Sequence, residues 1–552
     1  MLRPLFLVVS LILMGVLGYH FIEQWPLLDC LYMTVITIFT VGFKEVKQLS
    51  PSGQIFTIFI ILGGAGTALY AFTKIGEIVF EGGIHKFWRR RKMEKMLQNL
   101  KGNRIKAVFL VGIFMFALSQ GIFAQEKAST KYFELENGLR VFLYKRTTVP
   151  LVNIAVAVNL GSKDESEETS GLVHILEHYI LFRGTEFRSG SAVGRDIRSH
   201  GAYFNAHTGH DLAFFEMSLP AEYAAFALRN QKEILFNLQI SQEELDKEKK
   251  IILEELSEIQ DDPLRYATAL VYQNLFLNHP YQKPVYGIKE IIEEATVEQV
   301  ENFYHGYFVP SNCALSVVGD FDMEMMEAKV QEVFGSLENR GFSPSRFQKK
   351  VELEETMEVE KEMDVNQAYL LIGMLGPDYN HPDQYAVDLL TEILGRGFNP
   401  MLNMALRGRR KLAHSVHMQF NALKYGGSII IYLTLDPGSV YAAKSETINF
   451  LKLTRRQNYS KRDYFGQEKF YAYDYLESSK NQMKYAFHRS QEKGLNVAVS
   501  LVRYMLLNED QKRGKFLDDI DKISSSDLRK VAGKYLGQGK YVVVSIVPQK
   551  EE

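Results

Sequence analysis

The hydrophobic pattern changes character along the chain. Leu5 to Tyr19 is apolar, and Ile55 to Phe72 carries no charge over 18 residues, so each is about long enough to cross a bilayer. Between them Pro26 to Phe39 is a shorter apolar segment, suited to a re-entrant helix. Further on, the pattern turns to alternation and helical periodicity. Phe133 to Tyr144 reads as a hairpin turned at Asn137-Gly138. Ser170 to Phe182 reads as a helix closed by Gly184, Glu244 to Asp262 as a charged helix, and Ala314–Val318 and Tyr541–Val547 as β-branched strands.

These segments fall into a repeat. One half runs to Leu337 and a second from about Val351 to Pro548, each opening with strand-like alternation, passing through helices and closing on a β-branched strand. The polar stretch Glu338–Lys350 joins them. The fold class is therefore α+β: two homologous halves of mixed sheet and helices, preceded by an all-α transmembrane module. The expected division is 1–101 for the membrane module, 102–125 for a signal-like or third membrane segment, 126–337 and 351–552 for the two halves, and 338–350 for the linker.

The net charge of -2 excludes a polyanion-binding class, so no nucleic acid is expected. Two cysteines, Cys30 and Cys313, make neither a disulfide framework nor a thiolate metal site. A metal must then rely on histidine and carboxylate. His174-Ile175-Leu176-Glu177-His178 supplies both. Histidines at i and i+4 lie one helical turn apart on the same face, so both rings reach one ion. Glu177, three residues after His174, projects toward the same side, within reach of a proton on a metal-bound water. The charged helix adds Glu248 and Glu255, seven apart on one face. Two imidazoles and one carboxylate leave a fourth zinc position for water, as a hydrolase requires. In the second half the corresponding segment is Asp388-Leu389-Leu390-Thr391-Glu392-Ile393, without a histidine pair.

From about Lys131 to Glu552 the chain resembles the pitrilysin-type zinc metallopeptidases, the inverzincins that include insulin-degrading enzyme and the mitochondrial processing peptidases. GLVHILEHYILFRGT resembles the family's motif helix, HGAYFNAHTGHD its G-x-x-N-A strand, and YFVPSNCALSVVGDFD the close of its first half. The resemblance implies that Glu255, 77 residues after His178, is the third zinc ligand beside His174 and His178, with one zinc per chain. It makes Glu177 the base and Glu248 a residue that orients a histidine or the ligand carboxylate. Asn205 would pair with extended substrate on its strand, an instance of β-augmentation. Arg407 and, seven residues on, His414 match the arginine and tyrosine with which the supporting half contacts substrate. His207 and His210 read as structural or rim residues. Tyr179-Ile180-Leu181-Phe182 is one residue longer than the family pattern, which predicts a small bulge. Family members enclose substrate between two such double halves, so a homodimer or a partner peptidase-like subunit is implied.

The N-terminal hundred residues resemble a two-helix potassium-channel pore, with Thr40, Val41, Gly42 and Phe43 as the selectivity filter and K+ as its ion. Lys44 stands where that family has glycine, which puts conduction in doubt; a conducting pore would be tetrameric. The basic cluster from Lys86 to Lys106 assigns the stretch after the second span to the cytoplasm. Ala107–Leu118 followed by small residues to Ala124 resembles a signal peptide inside the chain; uncleaved, it would be a third span.

The reading is a membrane-tethered zinc endopeptidase, multi-pass in a bacterial inner membrane, with the peptidase facing the periplasm and acting on peptides or unfolded segments. Three rivals stand beside it. They are a potassium-channel subunit with an accessory peptidase-like domain, two neighbouring reading frames joined, and a non-catalytic partner subunit.

Overall fold

The computed structural model describes residues 3–38, 49–50, 52–54, 56–57, 60–61, 129–341, 351–460, 463–464, 472–507 and 514–549. The filter residues Thr40–Phe43, Lys44, the signal-like segment and most of the 55–72 and 338–350 stretches lie outside them. The chain divides into two compact units, Met1–Ala124 and Gln125–Glu552.

The described elements of the first unit are helical. α1 (Arg3–Glu23) covers the first apolar stretch, and α2 (Leu27–Ile38) follows after a turn through Gln24 at φ 50°. Tyr19 holds this corner: its ring stacks on Trp25 and meets the edge of Phe56, and its hydroxyl lies 2.9 Å from that of Thr57. Among the described residues no helix is long and apolar enough to cross a membrane.

The second unit is a duplication. The first half contains β1 (Ser129–Glu134), β2 (Arg140–Lys145), β3 (Leu151–Val158), β4 (Tyr203–Thr208), β5 (Ala213–Pro220) and β6 (Cys313–Gly319) in a sheet ordered β1-β2-β6-β3-β5-β4. The second contains β7 (Met357–Met363), β8 (Ala368–Gly376), β9 (Ser415–Leu423), β10 (Gly426–Leu435), a small two-stranded sheet of β11 (Asp463–Tyr464) and β12 (Ala472–Tyr473), and β13 (Val542–Pro548). Its main sheet is ordered β7-β13-β8-β10-β9. In both halves the last strand inserts between the first and second strands of the repeat, parallel to one (β6 with β2, β13 with β7) and antiparallel to the other. Among the described residues β1 has no counterpart in the second sheet, and it forms the hairpin with β2 around Gly138 at φ 85°.

Strand composition explains the layering. Along β3, Val152, Ile154, Val156 and Val158 point into the first half's core, whereas the small Ala155 and Ala157 face the other side. That side is covered by a helix of the other half, Gly494–Leu506, through Val497, Ala498, Leu501 and Val502. Its start lies so close to β3 that a Cβ on Gly494 would stand 2.3 Å from the Asn153 amide. The exchange is reciprocal. Helix Pro263–Leu275 of the first half packs Ala267, Val271 and Leu275 against Leu371, Ile430 and Val544 of the second sheet. The central strands of each sheet are thus buried on both faces, which is why β6 is buried along its whole length and does not alternate.

Candidate metal centre

The motif helix spans Leu172–Phe182, two residues shorter at its start than the sequence pattern suggests. Gly171 takes φ 108° at its cap, a conformation that favours glycine, and sits against Gly287. Instead of the expected bulge, the helix stays regular to Phe182, so the extra residue lengthens it before Arg183 ends it. Leu172, Val173, Ile175, Leu176, Tyr179 and Ile180 anchor the helix in the core. The face that remains carries His174, Glu177 and His178.

Helix Gln242–Asp261, capped by Ser241, presents the other donors. Its buried stripe is Leu245, Glu248, Ile252, Leu256 and Ile259, so Glu248 lies within an apolar row and is fully buried, while Glu255 beside the row is half-exposed. The ligand atoms of His174, His178 and Glu255 all lie within 4.8 Å of one another. Glu255 Oε2 is 3.5 Å from His174 Nε2 and 3.4 Å from His178 Nε2. The far nitrogens are engaged too. His178 Nδ1 lies 3.0 Å from Glu248 Oε2, and His174 Nδ1 lies 3.2 Å from the carbonyl of Tyr286. Both acceptors draw a proton to Nδ1 and leave the Nε2 lone pairs facing Glu255, the tautomers that a zinc-binding histidine adopts. This donor set of two imidazoles and one carboxylate, each histidine oriented from behind, fits a divalent zinc ion.

Charge couples the same residues. Burial acts to lower the His174 pKa, but the Glu255 carboxylate, helped by Glu177, outweighs it and leaves the imidazole raised. Glu255 is correspondingly lowered by its hydrogen bond with His174, against opposition from burial. A cation that binds at Nε2 must displace any proton held there.

The remaining predicted residues are distributed as follows. Asn205 is exposed on β4, an edge strand paired only with β5, opposite Glu216. His207 pairs with Glu216 at 3.1 Å, while His210 lies beyond the strand with Nδ1 2.8 Å from the Ser162 hydroxyl, so the two do not share a site. Arg407 is exposed in a π-helical turn, Met404–Arg409, and His414 lies 3.3 Å from Asp436. Both belong to the second half, whereas the triad is built wholly from the first. Three contributors were given no role from sequence: the Tyr286 carbonyl, which is backbone, Arg183, which meets Glu248, and Glu165, which accepts from the Gly171 and Val173 amides at the head of the motif helix. A cleft of about 1450 Å³ opens beside the ligand helix. Leu256, Tyr272, Lys283 and Tyr286 line it from the first half and Asn421 from the second.

Residues 140–289 match the family described as "Insulinase (Peptidase family M16)", and residues 294–464 match "Peptidase M16 inactive domain". The peptidase region is M16-like. Residues 6–81 match a family described as "Ion channel". A Bacillus subtilis protein named "Uncharacterized zinc protease YmxG" is 26% identical over 354 residues, 64% of this chain and 82% of its own length. A Rickettsia bellii "Uncharacterized zinc protease" is 27% identical over 370 residues, 66% of this chain and 87% of its own. Among solved structures, a protease from Helicobacter pylori superposes with a TM-score of 0.70 at 22% identity, covering 76% of this chain and all of its own. A Pseudomonas fluorescens M16 inactive domain gives 0.67 at 18%, covering 77% and 99%. The half that lacks the motif's histidine pair holds most of the stretch that matches the inactive domain, which begins at residue 294.

Proposed function

We propose that this chain is a membrane-tethered zinc metalloendopeptidase that cleaves peptides or unfolded segments outside the cytoplasm. The observation that carries the reading is the convergence of His174, His178 and Glu255 with both Nδ1 atoms already engaged. Zinc held by these three residues would polarise a scissile carbonyl and lower the pKa of water at its open position. Glu177, one turn along the same face, accepts a proton from the attacking water and returns it to the departing amine nitrogen. Glu248 keeps His178 in the tautomer that presents Nε2. Extended substrate adds to the free edge of β4 beside Asn205, and the neighbouring cleft receives its side chains. Arg407 and His414 would contact substrate from a supporting half, and a second copy or a partner subunit would complete the enclosure.

The tether rests on the apolar segments before residue 125, the basic cluster from Lys86 to Lys106 and the ion-channel match. That match also favours a second reading, a K+ channel subunit carrying an accessory peptidase. The deciding experiment measures zinc content and cleavage of an unfolded peptide by the full chain in detergent, with Glu177→Gln beside it. The endopeptidase reading expects one zinc per chain in both and turnover only in wild type; equal turnover removes Glu177 from the mechanism. Absence of zinc and cleavage together would leave a partner-subunit role. Potassium flux through liposomes that survives chelation and changes with Lys44→Gly would establish the channel reading.

A further inference from the structure

Arg183, the residue that ends the motif helix, touches no candidate ligand, yet it is built into the site one layer out. Its Nε stands in ion-pair contact with Oε1 of Glu248, off hydrogen-bond geometry, and one terminal nitrogen lies 2.8 Å from Glu244 Oε2. The other oxygen of Glu248 is the one 3.0 Å from His178 Nδ1. Glu248 is fully buried, Arg183 is 19% exposed and Glu244 33%, so the chain of contacts runs from protein interior to solvent. A carboxylate bonded at only one oxygen can swing about its terminal torsion. One that faces a guanidinium charge at one oxygen and bonds an imidazole at the other is restrained in that torsion.

The second half supplies an independent comparison. There too the segment that follows the motif position ends in Arg-Gly, Arg396-Gly397, as the first ends in Arg183-Gly184. Arg396 turns back onto its own helix, 2.5 Å from Asp388 and 3.4 Å from Glu392. Aligning Val387-Asp388-Leu389-Leu390 with Val173-His174-Ile175-Leu176 puts those carboxylates where the first half has its two histidines. A guanidinium thus occupies the metal-ligand positions of the non-catalytic half, whereas in the catalytic half Glu248 and Glu244 draw it to the rear of the site.

Resting on the zinc reading above, we infer that Arg183 is a positioning residue of the metal centre: by clamping Glu248 it holds His178 in its metal-binding orientation. The test titrates metal-free full chain in detergent with zinc against a fluorescent chelator, for wild type, Arg183→Met, Arg183→Lys, Glu248→Gln and the Arg183→Met/Glu248→Gln double variant. Loss of an outer-shell partner costs roughly 10–100-fold in metal affinity, and that is the expected weakening in Arg183→Met, with a smaller loss in Arg183→Lys, whose single ammonium cannot span Glu248 and Glu244. The double variant should bind zinc no worse than Glu248→Gln, because Arg183 acts through Glu248. Wild-type affinity in both arginine variants overturns the inference, as do losses that multiply in the double variant. If circular dichroism shows Arg183→Met unfolded, Arg183→Lys decides, an unchanged affinity counting against. A wild-type chain that takes up no zinc removes the zinc reading itself, and this inference with it.

Discussion

The two halves of the peptidase region share one topology and differ in what they place on it. In the first, a helix carries His174 and His178 to a shared point with Glu255, with Glu248 behind His178 and Arg183 beside Glu248. In the second, the same position carries Asp388 and Glu392, and the cation between them is the chain's own Arg396. The contrast shows that a repeat can keep its sheet order because strand burial demands it, while the site on its surface follows a handful of side chains. It also shows what the second half contributes. Its helix Gly494–Leu506 covers the Ala155 and Ala157 face of the first sheet, so the half that carries the triad is completed by its partner's packing.

The largest expected difference between the halves is in metal uptake. Glu255→Ala should take the chain from one zinc to none and abolish cleavage, while Asp388→Ala leaves the stoichiometry at one; a lost equivalent in the second variant would mean that the second half binds metal. Next comes the proton transfer. Glu177→Gln should retain zinc and lose about 10²–10⁴-fold in kcat, whereas Thr391→Val, at the corresponding position, should leave turnover within twofold of wild type. The packing exchange should be symmetric. Leu275→Ala and Leu501→Ala each truncate a helix buried on the other half's sheet, so each should cost about 2–5 kcal/mol in denaturant unfolding. Both should shift one common transition, and two separate transitions would show that the halves fold independently.

The smallest and most selective effect is pH dependence. Glu165 accepts hydrogen bonds from the Gly171 and Val173 amides at 3.0 Å each, at the head of the motif helix, and burial pushes its carboxyl up to about 8 from an ordinary 4.5. The folded chain therefore holds a proton there that the unfolded chain has released. Stability should fall as pH rises between these values, by up to about 1.4 kcal/mol per pH unit, and Glu165→Gln should flatten that slope. Asp383, at the cap of the second half's helix Gln384–Thr391, behaves oppositely. Burial acts to raise it, but the Lys534 ammonium and Tyr535 hydroxyl prevail and lower it. Its contribution is present above the ordinary carboxylate value of 3.8 and is lost as pH falls further, which thermal melts of Asp383→Asn below neutral pH would read.

Much of the centre could be read from residue order. His174 and His178 are four apart and share a face once a helix forms, and the apolar residues between them require that helix to be buried. The duplication was legible for a similar reason, since β6 and β13 are both β-branched runs that close a half. What could not be read was the rear of the site. The family resemblance named Glu248 as an orienting residue without saying which ligand it meets; packing buries it fully, because its helix turns the stripe from Leu245 to Ile259 inward, and sets it on His178. Arg407 and His414 were located by analogy with a family pattern, and the structure leaves them exposed on the half that carries no triad.

The sequence by itself determined the donor types, their spacing along one helix, the repeat and the apolar segments before residue 125. These depend on local periodicity, which covalent order specifies. Only the tertiary structure decided which carboxylate faces which nitrogen, that the Tyr286 carbonyl, 112 residues from His174, fixes its ring, and that each half lends a helix to the other's sheet. Such contacts depend on how separate elements pack, and packing selects partners by shape and burial across distances that residue order does not encode locally.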